Sequence, residues 1–336
     1  MTQDSRIQQL RNWLLGLDAE PCELVPVSGD ASFRRYFRVK FADNSLIAVD
    51  APPEKEDSRP FVAIANAWLQ QGIPVPEIRA VDFEQGFMLL ADFGDDLLLA
   101  HLHKDTADSW YRRAFNLLHN IQAVTGVEDY DLPLYDTQRL TDEMQLFIDW
   151  CLQARLRLTL TEDEQRLLRQ TFSQLVVNAS EQPQVCVHRD YHSRNLMCVG
   201  DDRLGVIDFQ DAVWGPVTYD LVSLLKDCYI CWPRSQVLIW AEAFRKQWQL
   251  LNPQQPVDTA TWVRWFDWMG LQRHIKVVGI FCRLALRDGK SGYLADIPRT
   301  FNYLYEVTRI YPELTEFSSW LERRVIPAMQ AEGLLP

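Results

Sequence analysis

The sequence predicts an α+β protein with two lobes: a small, mostly antiparallel β lobe over residues 1–95 and a larger, mostly helical lobe over residues 96–336. Two patterns carry this prediction. Short runs of β-branched and aromatic residues separated by turn formers occupy the N-terminal part, whereas long segments of helical periodicity follow from about residue 105. A length of 336 residues fits about two folding units of roughly 100 to 200 residues each.

The N-terminal lobe begins with an amphipathic helix, which the apolar spacing predicts over residues 6–17. Strand-like runs follow at residues 23–27, 33–41 and 45–49. The turn formers SGDAS and ADNS between these runs indicate an antiparallel meander. One internal helix is expected over residues 61–71, and two further strands are expected between IPVPEI and GFMLLADFG.

The C-terminal lobe is predicted from helical periods at residues 107–123, 141–158, 162–179, 234–250, 259–287 and 312–332. Thr161 and Glu164 form a capping-box pattern at the start of one of them. Two short strands, NLMCV and LGVID, interrupt the helical pattern and are joined by GDDR. The lobe is therefore expected to be helical with one inserted β-hairpin.

Composition excludes several classes of protein. Lys and Arg total 34 against 46 Asp and Glu, a formal net charge of −12, which argues against nucleic acid or an anionic membrane as the main partner. The seven Cys have no regular spacing, and the lone Cys228-x-x-Cys231 pair lacks a second pair to complete a zinc site. The N-terminus is polar, and no apolar run approaches the ~20 residues of a membrane helix. A cytoplasmic protein is expected, and its oligomeric state is left open.

The inserted hairpin carries the chemically informative residues. A tight turn at Asp201 and Asp202 predicts a register in which Asn195 lies directly opposite Asp208. An amide oxygen and a carboxylate so placed suit Mg²⁺, which takes one or two protein ligands and fills its other positions with phosphate and water. Asp190 precedes Asn195 in a polar loop, where a carboxylate can accept a hydroxyl proton. These residues predict a phosphoryl-transfer site.

The motif HRDYHSRNL, beginning at His188, and the motif IDFQDA, beginning at Ile207, resemble the catalytic and metal-binding loops of the protein-kinase-like superfamily. They are similar to its aminoglycoside phosphotransferase branch, and the resemblance spans nearly the whole chain. It implies a kinase-like fold, ATP in the cleft between the lobes, Asp190 as catalytic base, and Asn195 and Asp208 as Mg²⁺ ligands. The lobe of residues 1–95 would bind the nucleotide, and the lobe of residues 96–336 would carry catalysis and the substrate.

The same resemblance implies supporting residues around the catalytic loop. His188 and Arg189 belong to the loop motif, and Asp220 in Tyr219-Asp220-Leu221 matches a helix whose Asp supports the loop from beneath. The turn after residue 27 lies where a phosphate-covering loop is expected, which implies contacts from Ser28, Gly29 and Ser32. The strand MLLADFGD resembles the hinge between lobes, which implies that the backbone from Leu90 to Asp92 contacts adenine. An ordinary hairpin turn is the alternative at the phosphate loop.

One position departs from the family pattern. The strand IAVD occupies the place of the V-A-I-K strand of protein kinases, but it ends in Asp50 instead of the phosphate-pairing Lys. The sequence leaves open which cation replaces that Lys, with candidates at Arg34, Arg35, Arg38, Lys40 and Lys55.

A basic stripe is predicted on the helix over residues 259–287. Its members fall within one arc of the helix, at Arg273, Lys276, Arg283 and Arg287. It is interpreted as a contact for an anionic group of the substrate, with pairing to acids of neighbouring helices as the alternative. Trp262, Trp265 and Trp268 recur every third residue, which is typical of core packing, with stacking on a sugar ring as the alternative.

The segment LQRHIKVVGIFCRLALRDGK, with DASFRRYFRV and DAPPEKED, resembles one subgroup, the bacterial anomeric kinases for N-acetylmuramate and N-acetylglucosamine. This resemblance implies transfer of the ATP γ-phosphate to the C1 hydroxyl of a small amino-sugar substrate in cell-wall recycling. The alternatives are a phosphotransferase for an aminoglycoside, choline or homoserine, and a nucleotide-binding pseudokinase that acts by interaction.

Overall fold

The computed structural model describes residues 3–17, 23–27, 33–41, 44–200 and 203–336. The described residues divide into two compact units. The first holds those up to Ala100 together with Val124–Leu132 and Arg194–Asp211, and the second holds His101–Ala123, Pro133–Ser193 and Ala212–Pro336. Within the described ranges, no helix combines the length and apolarity that crossing a bilayer requires.

The first unit is built on an antiparallel sheet with strand order β1-β2-β3-β5-β4. Its strands are β1 (Glu23–Val27), β2 (Arg35–Lys40), β3 (Ser45–Asp50), β4 (Ile78–Asp82) and β5 (Phe87–Ala91). Two helices accompany it, α1 (Gln3–Gly16) and α2 (Arg59–Gln70). The predicted meander, first helix and internal helix are confirmed within a few residues at their ends.

Helix α1 packs on one face of this sheet. Its Leu10 and Leu14 are buried against Phe37, Ala48 and Leu89 of the sheet. Because side chains alternate between the faces of a strand, every second residue of β2 and β3 points toward α1. This alternation decides which charged residues of the two strands lie on the opposite face.

The rest of the chain is mostly helical. Its helices are α3 (Leu98–His101), α4 (Ala107–Gln122), α5 (Thr137–Leu146), α6 (Glu162–Ser180), α7 (Tyr219–Leu225), α8 (Arg234–Leu251), α9 (Thr259–Arg287), α10 (Ile297–Thr308), α11 (Thr315–Trp320) and α12 (Ile326–Ala331). Its strands are β6 (Gln184–Val187), β7 (Leu196–Val199), β8 (Arg203–Val206) and β9 (Val213–Pro216). The predicted α+β class is confirmed.

The second unit is organised around α9, which is buried along most of its length from Trp262 to Leu284. A helix that is apolar around most of its circumference belongs in the centre of a helical layer. Trp262, Trp265 and Trp268 are all buried, which agrees with core packing. The capping box predicted at Thr161 is confirmed at the start of α6.

Two predicted helices are interrupted. The segment expected over residues 141–158 is α5 followed by a π-helical stretch, Phe147–Arg155. The segment expected over residues 312–332 is broken by a π-helical stretch, Leu321–Val325, before α12. Pro327 lacks the N–H that would bond the preceding turn, which accounts for the second interruption. Strands β6 and β9 and helix α10 were not predicted.

Gly279 of α9 should be essential for packing against the end of α5. A Cβ atom at this position would lie 2.5 Å from Phe147 N and 2.7 Å from Leu146 O, and both neighbours are backbone atoms. Gly279→Ala is expected to lower the free energy of unfolding by about 1 to 3 kcal/mol through overpacking. The matched control is Gly270→Ala on the same helix, where the new Cβ would meet Lys226 at an ordinary 3.5 Å. Denaturant unfolding should show the control neutral or stabilised by about 1 kcal/mol, and equal values for both variants would contradict the packing argument.

Candidate active site

The hairpin formed by β7 and β8 has a register one residue away from the predicted one. Leu196 pairs with Val206, and the Ile207 N–H donates to the Asn195 carbonyl (3.1 Å). Asn195 therefore lies opposite Ile207, and the prediction that it pairs directly with Asp208 is wrong. A slip of one residue places a side chain on the other face of a ladder, so the register alone would direct Asp208 away from Asn195.

The two side chains meet nevertheless, because Asp208 adopts a left-handed backbone conformation with φ of 65°. Non-glycine residues are uncommon in this region, and here it interrupts the alternation of the strand. Asn195 Nδ2 lies 3.5 Å from Asp208 Oδ2, and Gln210 donates to Asp208 Oδ1 (2.9 Å). The amide and the carboxylate thus share one location at the open end of the hairpin.

The hairpin is fixed within the first unit by backbone bonds and aromatic packing. The Cys198 N–H donates to the Asp96 carbonyl (2.7 Å), and the Val206 N–H donates to the Pro74 carbonyl (2.8 Å). Phe209, directly after Asp208, is fully buried, and its ring stacks on Phe61 of α2 with centroids 4.7 Å apart. These contacts hold the residues on both sides of the carboxylate.

The donor set of this pair fits a hard divalent cation. Asn195 and Asp208 supply amide and carboxylate oxygens, which are the ligands that Mg²⁺ accepts together with phosphate oxygens and water. The Asn195 side chain is largely buried, whereas Asp208 is exposed and is held by the Gln210 amide and by the packing of its neighbour Phe209. Coordination by the Asn195 amide oxygen requires rotation of the amide group, because Nδ2 is the atom that faces Asp208.

The loop that begins at His188, which the sequence predicts to be catalytic, contacts a buried carboxylate of the second unit. Asp220 at the start of α7 accepts the N–H groups of His188 (2.7 Å) and Arg189 (3.0 Å). Burial raises the pKa of Asp220 to about 7, while the two backbone donors act in the opposite direction. Arg189 has a φ of 77°, so the loop turns sharply where Asp220 holds it. The Asp190 N–H donates to His188 Nδ1 (3.2 Å), which fixes the next residue.

Asp190 itself faces two cations of α9. Arg273 Nη1 and Nη2 each lie 3.4 Å from Asp190 Oδ1, and Arg273 also donates to the Arg189 carbonyl (2.8 Å). Partial burial acts to raise the pKa of the Asp190 carboxyl, but the charges of Arg273 and Lys276 outweigh it and hold that pKa well below its usual range. The Asp190 side chain remains 44% exposed, so an ionised carboxylate is presented to solvent.

A buried network of charged side chains contacts Arg273 through the Tyr219 hydroxyl. Lys276 Nζ lies 3.0 Å from Glu143 Oε1 and donates to the Tyr219 hydroxyl (3.2 Å), and Arg273 donates to the same hydroxyl (3.2 Å). Glu143 also pairs with the side chain of Arg189. Sequence reasoning did not identify Glu143, because a single acidic residue within a helical period has no local signal of its partners.

The predicted basic stripe does not converge on one point. Arg273 and Lys276 are buried and paired with acids, as the alternative interpretation expected. Arg283 is half-buried, and Arg287 is exposed and pairs with its neighbour Asp288 (2.7 Å). At about 1.5 Å of rise per residue, Arg287 lies roughly 21 Å along the helix from Arg273. A single sugar cannot contact all four.

The predicted nucleotide contacts fall partly outside the described residues, since Ser28, Gly29 and Ser32 lie there. Leu90 is buried in β5, where it pairs with Ile47 of β3. Asp92 accepts from Arg38 Nε (2.6 Å), from the Ser45 hydroxyl (2.6 Å) and from the Gly94 N–H (2.8 Å), so its side chain is committed within the first unit.

The fold and the site define a phosphotransferase of the kinase-like type. The chain belongs to the phosphotransferase enzyme family, whose model matches residues 23–265. It is 42% identical to the N-acetylmuramate/N-acetylglucosamine kinase of Pseudomonas aeruginosa, covering 96% of this chain and 97% of that protein. It is 38% identical to the protein of the same description from Neisseria meningitidis, covering 91% and 92%.

Solved structures show the same fold at low sequence identity. An aminoglycoside phosphotransferase solved with ADP has a TM-score of 0.60 and 13% identity, covering 91% of this chain and 99% of that one. An ethanolamine kinase of Plasmodium vivax has a TM-score of 0.65 and 12% identity, covering 93% and 89%. These neighbours confirm the predicted kinase-like fold.

Arg273 is expected to set the pH dependence of the enzyme through Asp190. The Arg273→Gln substitution removes a positive charge beside Asp190 and should raise the pKa of that carboxyl. On acidification, the variant should therefore lose activity at a higher pH than the wild type does. The measurement is the acid limb of the kcat/KM profile. Arg273→Lys keeps a cation and should shift the limb less, and Arg264→Gln, a partly exposed site on the same helix paired with Glu313, should not shift it. Identical acid limbs in all variants would show that Arg273 does not act on Asp190.

Proposed function

We propose that the protein is an ATP- and Mg²⁺-dependent kinase that transfers the γ-phosphate to the anomeric C1 hydroxyl of N-acetylmuramate and N-acetylglucosamine in cell-wall recycling. The assignment of the substrate rests on the relatives with that description, which are 31% to 42% identical to this chain over 89% to 96% of its length. In this proposal, residues 1–95 bind the nucleotide and residues 96–336 carry catalysis and the sugar. The reaction takes place in the cytoplasm, where ATP is available.

Asn195 and Asp208 are the proposed ligands of the cation. When bound, Mg²⁺ supplies charge neutralisation and orientation for the phosphates. The chain contributes two residues with oxygen ligands whose backbones are fixed by β7, β8 and the buried ring of Phe209. Catalysis by positioning and electrostatics of this kind depends on ligands that do not rearrange.

Asp190 is the proposed catalytic base. Its carboxylate is kept ionised by Arg273 and Lys276, and it can orient the acceptor hydroxyl and take its proton. A base with so low a pKa is weak, which suits an anomeric hydroxyl because this group is more acidic than an ordinary alcohol. Phosphoryl transfer with a loose transition state also places little demand on the base.

The acceptor sugar is not proposed to contact all four residues of the basic stripe. Arg273 and Lys276 serve Asp190 and Glu143, and Arg287 lies roughly 21 Å along the helix from Arg273, which leaves Arg283 as the stripe residue proposed for an anionic group of the substrate. Aminoglycoside and choline phosphorylation are weaker candidates, because the neighbours of that kind are only 10% to 14% identical, and homoserine phosphorylation is kept only as an alternative from the sequence. A pseudokinase is the remaining alternative, and it would show no turnover.

The product should carry phosphate on the anomeric carbon. With ATP, Mg²⁺ and N-acetylmuramate or N-acetylglucosamine, phosphorus NMR should show one new monoester signal coupled to the anomeric proton. The methyl glycosides of the same sugars serve as controls, because their C1 oxygen is blocked, and they should not react. Phosphorylation of the glycosides, or turnover only with an aminoglycoside, choline or homoserine, would contradict the proposal. If the protein does not turn over ATP with any of these acceptors, the pseudokinase alternative is favoured.

A further inference from the structure

The place of the missing strand Lys is occupied by a buried ionic cluster that faces away from the candidate site. Asp50 is fully buried and accepts from Arg6 Nε (3.1 Å) and Arg35 Nε (3.0 Å). Asp50 pairs with Arg35 in the same ladder in which Ala48 pairs with Phe37, so all four side chains lie on the face that α1 covers. No substitution at residue 50 alone would aim a cation at the opposite face.

The opposite face of β2 begins with Arg34 and Tyr36. Tyr36 lies in the strand between Arg35 and Phe37, so alternation directs it away from α1. The guanidinium of Arg34 donates to the Tyr36 hydroxyl. Burial raises the pKa of Tyr36 to about 12, with Asp208 and Glu56 acting in the same direction and Arg34 against it. Arg34, Tyr36 and Asp208 are therefore electrostatic neighbours within the first unit.

Arg34 is held by an acidic residue from the loop before α2. Arg34 Nη2 lies 3.3 Å from Glu56 Oε2, and their side chains are only 6% and 19% exposed. The other oxygen, Glu56 Oε1, accepts the Phe33 N–H (3.2 Å), so Glu56 fixes both the backbone and the side chain of this segment. A cation anchored by a carboxylate, and sharing Tyr36 as an electrostatic neighbour with the candidate metal ligand Asp208, is suited to positioning a phosphate.

The other candidate cations are committed elsewhere. Arg38 binds Asp92 and Asp95, and Arg35 binds Asp50 on the face that α1 covers. Lys40 is half-exposed and pairs with Glu23 (2.9 Å) at the far end of β2. Lys55 lies over the ring of Phe33, 4.8 Å from its centroid.

We propose that Arg34, anchored by Glu56, is the cation that contacts the phosphates of the bound nucleotide, in place of the strand Lys that this chain lacks. The inference rests on the proposed function, since it assumes a nucleotide whose phosphates reach Asp208. A guanidinium has five N–H donors in a planar fork, so it can bind a carboxylate, a hydroxyl and a phosphate together. This explains how the chain keeps a phosphate-binding cation although residue 50 is acidic.

The test compares ADP with adenosine by calorimetric titration in Mg²⁺. Arg34→Gln is expected to weaken ADP binding by about tenfold or more, as for the loss of a charge-assisted hydrogen bond, while adenosine affinity stays unchanged. Glu56→Gln keeps the guanidinium but loosens it and should weaken ADP binding by a smaller factor. The matched control is Arg59→Gln, an exposed Arg paired with Asp57, which should bind both ligands like the wild type.

Each outcome is informative. ADP affinity of Arg34→Gln within twofold of the wild type, or equal losses for ADP and adenosine, would overturn the role of Arg34. Failure of the wild type to bind ADP would refute the proposed function itself. If Arg34→Gln does not fold, Arg34→Lys takes its place, since it keeps the charge but loses the planar fork, and a several-fold loss for ADP alone is then expected.

Discussion

The approach of Asn195 to Asp208 is the contact on which the proposed cation site depends. The ladder between β7 and β8 would direct the two side chains to opposite faces, and the left-handed conformation of Asp208 brings them within 3.5 Å. Conformations of this kind are costly and persist only where the surroundings enforce them. Here the buried ring of Phe209 and the backbone bonds of the hairpin provide that enforcement.

The second constraint is the charge balance around the catalytic loop. Asp220 holds two successive N–H groups of the loop, and Arg273 holds the carboxylate of Asp190 ionised. Arg273 is in turn positioned by the network that links Lys276 to Glu143. Removing one member of such a buried network leaves a charge without compensation, which costs more than the pair contributes. The loop is therefore built to present Asp190 in a single state.

The fold class could be predicted from the sequence, and the two motifs identify the residues proposed for the site, because strand alternation, helical periods and motifs are local signals. Sequence reasoning misjudged the register of the hairpin by one residue, because three residues and not two separate the paired Val199 and Arg203. It assigned Arg273 and Arg287 to one basic stripe, because an angular projection of a helix does not include the distance between residues along the helix axis. The partners of Arg34 and Glu143 come from distant parts of the chain, and no single-sequence pattern reports such contacts.

Asp208 is proposed to bind the cation and Asp190 to act as the base. Magnesium-dependent nucleotide affinity distinguishes these two roles. ADP should be titrated with and without Mg²⁺ into Asp208→Ala, Asp190→Asn and the control Asp211→Ala, an exposed carboxylate three residues further on. We expect Asp208→Ala to lose the gain in affinity from Mg²⁺, whereas Asp190→Asn should keep it and lose only turnover. Unchanged Mg²⁺ dependence in Asp208→Ala, or near-normal turnover by Asp190→Asn, would contradict the account.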